Sequence, residues 1–262
     1  MLVIAHLSDT HFGGIGDPVA RVRRVLGHLA RLDPPVDVVV VTGDIADHGT
    51  AEEYAEAAEV LGEWPGPVPM LLCPGNHDVR PAYAAMRGLP PDRPTDEAHR
   101  VAGHLFLMLD SLVPAPPGGR IDHGVLAPDS LAWLDAQLTA RTPGQRAVVC
   151  LHHPPEPIHL GLMDPIRLEN AGALAAVLDR HDDVVAVLVG HAHSACAFAF
   201  TTMRRPLPVL VPGGVVSTVT MDAEPLEAIT TALPPTYAVH YVDDAPDGSP
   251  RIVTHWRSLP MP

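Results

Sequence analysis

The sequence predicts a layered α/β fold. Near-continuous apolar runs of strand length alternate with segments carrying helix signals, which is the pattern of sheets covered by helices. The polar, chemistry-bearing residues also gather just after the apolar runs, where open α/β sheets collect their ligands.

Leu2 to Leu7 reads as a buried strand. Pro18 to Arg31 reads as a helix with proline in its first turn. Val36 to Val41, nearly all valine, is a second strand. Thr50 to Trp64 holds good helix formers behind an N-cap threonine, with Glu53 placed to complete a capping box. Val68 to Leu72 is a third strand, and the Pro-rich stretch from Pro81 to Pro94 reads as a surface excursion. Leu105 to Leu109, Ala147 to Leu151 and Val184 to Val189 are further strands, with helices at Pro128 to Leu138 and Ala171 to Leu178. From Ala195 the runs become short, β-rich and broken by Pro and Gly. That part, 195–262, is expected to add mostly antiparallel strands completing a second sheet. No boundary divides the chain, so 1–262 is expected to be one domain.

Apolar residues make up 47% of the 262, as in a globular protein, and no apolar run is long enough to span a bilayer. The first residues lead straight into Ser8-Asp9-Thr10-His11 without a signal-peptide pattern, so a cytoplasmic location is expected. Three cysteines make no disulfide framework and read as buried free thiols. A formal net charge of −14 opposes binding to nucleic acid or anionic membranes. Arg21-Val22-Arg23-Arg24 is the densest basic cluster and reads as a solvated helix face. A small anionic substrate remains compatible, because bound cations can make a local positive site on an acidic protein.

Asp9 and His11 follow the first strand and Asp44 the second. Asn76, His77 and Asp78 follow the third. His152 and His153 follow the strand ending at Leu151, and His191 and His193 the strand ending at Val189. Residues two apart in extended chain point the same way, which pairs Asp9 with His11 and His191 with His193. Carboxylate oxygen mixed with neutral imidazole suits borderline divalent metals such as Mn, Fe, Co or Zn. Each residue also has an ordinary reading: Asp9 or Asp44 as a helix N-cap, Asn76 in a turn, His152 as a packed histidine. Those readings would all have to hold together at five strand ends. His48 and His123 are secondary candidates for lining the pocket, and His159, in the loop after the double histidine, for contacting the substrate.

In order, Asp9-Thr10-His11, Gly43-Asp44, Gly75-Asn76-His77-Asp78, His152 and Gly190-His191-Ala192-His193 resemble the motif set of the calcineurin-like metallophosphoesterase superfamily. His152-His153-Pro154-Pro155, Gly161, Asp164, Asn170 and Asp110-Ser111 further resemble class III cyclic-nucleotide phosphodiesterases and the related glycerophosphodiesterases. The resemblance implies an αββα sandwich, with two mixed sheets flanked by helices, and two divalent metal ions per chain. It implies that Asp9, His11 and His193 hold one metal, that Asn76, His152 and His191 hold the other, and that Asp44 bridges them. His77 would face the substrate as proton donor, with Asp78 orienting its ring. The implied activity is hydrolysis of a small phosphodiester by metal-activated water, most of all a 3′,5′-cyclic nucleotide of the cAMP type. A glycerophosphodiesterase or broad phosphomonoesterase is the alternative, and a non-catalytic metal-binding scaffold is an alternative of another class. By the same analogy the C-terminal part could supply a homodimer face.

Overall fold

The computed structural model describes residues 1–116, 118–221 and 228–260. Strands β1 (Leu2–Leu7), β2 (Val38–Thr42) and β3 (Met70–Cys73) pair in parallel. Helices α1 (Pro18–Leu29) and α2 (Ala51–Gly62) connect them. A second sheet holds β4 (Glu97–Val101), β5 (His104–Met108), β6 (Ala147–Cys150) and β7 (Val184–Leu188), with α4 (Pro128–Thr139) and α5 (Ala171–Leu178) between its parallel strands. α3 (Arg80–Arg87) precedes β4.

Strand periodicity explains why the core strands are apolar throughout. Leu2 and Ile4 of β1 and Val38 and Val40 of β2 face Phe106, Met108 and Val148 of the other sheet in one buried cluster. The alternate residues Val3, Ala5, Val39 and Val41 pack under Val22, Val25, Tyr54 and Val60 of α1 and α2. Leu105, Leu107 and Val149 likewise meet Leu134, Leu138 and Leu174 of α4 and α5. The result is four layers, αββα. The capping box at Thr50 is formed, with the Thr50 hydroxyl accepting from the Glu53 N–H.

Five features depart from the expectations. The stretch Pro81 to Pro94 is not wholly a surface excursion. Arg80–Arg87 is helical, because proline is tolerated in a first turn, and it buries Tyr83 and Ala84 before Gly88 ends it in left-handed conformation (φ 68°). β4 was not anticipated, since Glu97-Ala98-His99-Arg100-Val101 is a half-exposed edge strand without an apolar face. The C-terminal strands serve both sheets, not the second alone. β8 (Cys196–Thr201) and β9 (Pro206–Val211) extend the second sheet, whereas β12 (Thr236–Asp244) and β13 (Pro250–Ser258) extend the first, β12 pairing antiparallel with β1. Arg21 is buried, donating to the carbonyls of Gly16, Thr231 and Leu233, and Cys196 is only half-buried beside the fully buried Cys73 and Cys150. A two-residue pair of strands, β10 (Thr218–Val219) and β11 (Ile229–Thr230), lies near the carboxyl ends of β1 and β7, with the Val219 N–H bonded to the His193 carbonyl. Among the described residues no helix is long and apolar enough to cross a membrane.

Behind β1 lies a buried polar chain. His6 Nδ1 meets His240 Nε2 at 3.1 Å, His6 Nε2 meets the Thr42 hydroxyl at 2.9 Å, and His240 Nδ1 meets the Thr254 hydroxyl at 2.9 Å. Burial pushes His240 down to about 3, and burial together with His240 holds His6 well below its usual value. Both rings are therefore neutral when folded, while an unfolded chain takes up protons near pH 6.5. Their contribution to stability is complete above that pH and is lost as pH falls from about 6.5 toward 3. His240→Gln should flatten the loss of stability between pH 7 and 5 by up to about 1.4 kcal/mol per pH unit. Denaturant titrations across that range check it, and parallel slopes in the two proteins would exclude the pair as an acid-sensitive element.

Candidate metal centre

The carboxyl ends of five strands converge. Asp9 and His11 follow β1, Asp44 follows β2, Asn76 follows β3, His152 follows β6, and His191 and His193 follow β7. Five of these residues are non-glycine positions with positive φ: Asp9 58°, His11 39°, Asp44 49°, His191 68° and His193 49°. Such conformations are costly for ordinary side chains and persist where surrounding structure enforces them, characteristically at functional sites. Here the backbone of one strand end holds the next: Asp9 N–H donates to the Gly43 carbonyl (3.1 Å), His11 N–H to the Asp44 carbonyl (2.9 Å) and Gly190 N–H to the His152 carbonyl (2.9 Å). A side chain at Gly75 would strike the Asp44 carboxylate, and one at Gly43, already at φ 84°, would strike the His152 ring.

The side chains meet through their acceptor atoms. His11 Nε2 and His193 Nε2 stand 3.2 Å apart. The far nitrogen of each ring is engaged: His11 Nδ1 lies 2.9 Å from Asp47 Oδ1, and His193 Nδ1 lies 3.2 Å from the Ser217 carbonyl. The Ser217 hydroxyl lies 2.8 Å from the same His193 nitrogen, and in the tautomers that donate through Nδ1 both Nε2 atoms present lone pairs to each other. His152 repeats the arrangement. Its Nδ1 donates to the Thr42 carbonyl at 2.7 Å, so in the neutral ring Nε2 is an acceptor facing Asn76 Oδ1 (3.1 Å), His191 Nδ1 (3.2 Å) and Asp44 Oδ2 (3.4 Å). Burial opposes a proton there, but Asp44 and Asp9 favour it and raise the ring to about 9, so this nitrogen is a place for positive charge, a proton or a cation. Asp44 Oδ2 is also 3.6 Å from His11 Nε2, and Asp9 Oδ1 is 3.4 Å from His193 Nε2. Buried acceptors facing one another repel unless a cation lies among them. The outward hydrogen bonds that fix each tautomer are those of metal-bound imidazoles. Asp9 Oδ2 and His191 Nε2 are buried and lack a hydrogen-bond partner. The donor set thus fits a pair of cations.

His153 does not offer a nitrogen in this way, although it is buried near His152 and His191. Its Nδ1 pairs with the Ser111 hydroxyl at 2.8 Å and its Nε2 with the Asp122 carbonyl at 3.1 Å. Asn76 is aimed by its amide nitrogen, which donates to Asp122 at 3.4 Å.

The expectation that Asp78 orients His77 is overturned. Asp78 points inward and accepts from the N–H groups of Ile45, Ala46 and Gly75 and from the Tyr54 hydroxyl. It fastens the turns after β2 and β3 to each other. The His77 ring is held by Asp47: Nδ1 donates to the Asp47 carbonyl at 2.8 Å, with the Asp47 carboxylate at 3.3 Å. Asp47, which also carries His11, is the functional residue missed from sequence. Its position three after Asp44, in the same turn, was the available signal.

Electrostatics follow from this packing. Burial opposes the charged form of His77, but Asp44 and then Asp47 outweigh it and raise the ring to about 9. Burial raises Asp9 to about 6 and lowers His193 to about 4. The hydrogen bonds from His11 and His77 hold Asp47 well below the carboxylate range. Two cavities open on the cluster. One of about 200 Å³ contains Asp44, Asn76, His77, His191 and His193. The other, of about 730 Å³, meets it at Asn76, His77 and Arg120 and includes His48.

A model described as calcineurin-like phosphoesterase matches residues 2–195. The chain is 36% identical over 202 residues to the glycerophosphodiester phosphodiesterase GpdQ of Enterobacter lignolyticus, covering 74% of this chain and 71% of that protein. It is 29% identical over 231 residues to a probable cyclic nucleotide phosphodiesterase of Rhodococcus erythropolis, covering 84% and 73%. It is 36% identical over 161 residues to the 3′,5′-cyclic adenosine monophosphate phosphodiesterase CpdA of Escherichia coli K12, covering 60% and 54%. Among solved structures, a dimetal phosphatase from Danio rerio superimposes with a TM-score of 0.71 at 18% identity over 98% of this chain and 96% of that one, a likeness of fold.

Proposed function

The chain belongs to the calcineurin-like phosphoesterase family, and we propose that within it this enzyme hydrolyses a small phosphodiester, most of all a 3′,5′-cyclic nucleotide. The carrying observation is the set of bare, outward-fixed acceptors of His11, His193 and His152 converging on Asp44. In this reading Asp9, His11 and His193 hold one cation, Asn76, His152 and His191 the other, and Asp44 lies between. The mixed nitrogen and oxygen donors favour Mn, Fe, Co or Zn. When bound, the pair activates water and neutralises charge on the phosphate. Asp44 balances that positive charge, and its other oxygen accepts from the His77 N–H at 2.9 Å, which fixes the loop that presents His77. His77, held through Nδ1, keeps Nε2 available to protonate the leaving oxygen. Asp78 secures the turns that carry Asp44 and Asn76. The similarity to GpdQ supports a second reading, glycerophosphodiester hydrolysis.

The core shared by both sheets supports treating 1–262 as one domain. Free thiols at Cys73, Cys150 and Cys196 support a cytoplasmic setting. The exposed edge of β13, with half-exposed Val253 and Trp256, is the face we assign to a homodimer.

The test is a substrate panel on metal-stripped and reconstituted protein. Chelation should reduce hydrolysis to background and Mn²⁺ or a similar ion should restore it. Cyclic AMP should be hydrolysed with higher kcat/KM than 5′-AMP, because the extra charge of a monoester is disfavoured by the acidic protein. Full activity in verified metal-free protein would sink the reading, and a preference for 5′-AMP would replace it with a phosphomonoesterase.

A further inference from the structure

The larger cavity differs chemically from one end to the other. Its end at the metal centre is polar, with Asp47, Asn76, His77 and Arg120. Its far wall is built from Val79 and Pro81 at the start of α3 and from Leu112, Val113, Pro114 and Ile121 of the loop after β5. The charged groups that also reach this wall are already occupied. Arg80 donates through Nε and Nη2 to the Asp110 carboxylate at 2.7 and 3.1 Å, and to the Leu112 carbonyl at 2.6 Å. Asp78 is turned toward backbone N–H groups and Tyr54. A hydroxyl carried to this end meets side chains that are apolar or already paired, whereas apolar ring surface there leaves water favourably. The volume, about 730 Å³, lies within the range of cavities that enclose ligands of drug size.

His77 fixes which part of the substrate enters. It lines both cavities, and the larger one has room on its side of the ring for an alcohol that takes its proton. We propose that the larger cavity is the subsite for the leaving alcohol and selects one carrying a flat, largely apolar ring system, as a nucleoside does, over glycerol. The proposal deepens the phosphodiesterase reading and rests on it. Hydroxyls close to the reacting oxygen would remain beside Asp47, Asn76 and Arg120, while the ring lies against the aliphatic and proline wall.

The experiment compares methyl phenyl phosphate with methyl 2-naphthyl phosphate on Mn²⁺-loaded protein, since the two leaving phenols have similar acidity and differ in ring area. The naphthyl ester should have a kcat/KM about tenfold or more higher, carried by KM. Val113→Asp, which places charge on the wall, and Ala115→Phe, which fills the cavity, should each bring the ratio close to one. Both positions are half-buried, so the variants test the wall without opening the core. Equal kcat/KM in the unaltered protein, or a preference kept in both variants, overturns the proposal. Calorimetric binding of the same two esters supplies an arm independent of turnover. Tighter naphthyl binding that the variants abolish, with no hydrolysis, supports the subsite and sinks the phosphodiesterase reading; equal binding overturns the subsite.

Discussion

Asp44→Asn is expected to remove nearly all turnover and at least one of the two metal ions. Asp44 Oδ2 lies near an imidazole nitrogen of both halves of the cluster, 3.6 Å from His11 Nε2 and 3.4 Å from His152 Nε2. Two cations held side by side repel, and a carboxylate between them offsets that repulsion with a full negative charge. An amide of the same shape supplies at most a carbonyl dipole, and its NH₂ group cannot bind a metal. Removing an outer partner of a metal ligand typically costs 10–100-fold in affinity or activity, so loss of this ligand should exceed that, on the order of 10³-fold in kcat. The Oδ1 contact with the His77 N–H can survive in the variant, so the loop keeps its place and the loss reports on the metals. Elemental analysis of the purified variant and kcat on a diester check it. Two tightly held ions per chain with normal turnover would show that the bridge lies elsewhere.

His77→Ala is expected to damage hydrolysis of cyclic nucleotides far more than hydrolysis of bis-nitrophenyl phosphate, with metal content unchanged. The ring lies outside the acceptor cluster and is fixed through Nδ1 by the Asp47 carbonyl, so its removal leaves every proposed metal ligand in place. Burial opposes its protonated form, but Asp44 and Asp47 outweigh that and favour it, and the protonated ring is the form that carries a proton on Nε2 to donate. The value of a proton donor depends on how basic the departing oxygen is. A ribose alkoxide leaves poorly unaided, whereas nitrophenolate, with a pKa of about 7, needs little help. General acid catalysis contributes about 10²–10⁴-fold, and that is the expected gap between the two substrates. An equal loss on both would assign His77 to binding the phosphoryl oxygens, and no loss on either would remove it from the mechanism.

The sequence by itself determined the layered fold and named the seven residues that the structure brings together at five strand ends. Both are local properties. A strand buried on two faces must be apolar at every position, and a donor placed a few residues beyond its end lies at the sheet's carboxyl edge. Tertiary structure alone decided which carboxylate serves the His77 ring. Asp78 is the sequence neighbour of His77 and Asp47 lies 30 residues before it, yet the turn after Asp44 brings Asp47 to the imidazoles while the Tyr54 hydroxyl and three backbone N–H groups draw Asp78 inward. The retirement of His153 depends on Ser111 and Asp122, residues brought to it from another strand end. The division of the C-terminal strands depends on which sheet edges remain open, and β12 takes the free edge of β1 because its own residues Val239 and Val242 can enter two different cores at once. Such choices are made by partners distant in the chain, and a hydrogen bond or a sheet edge leaves no periodic mark on the segment that will meet it.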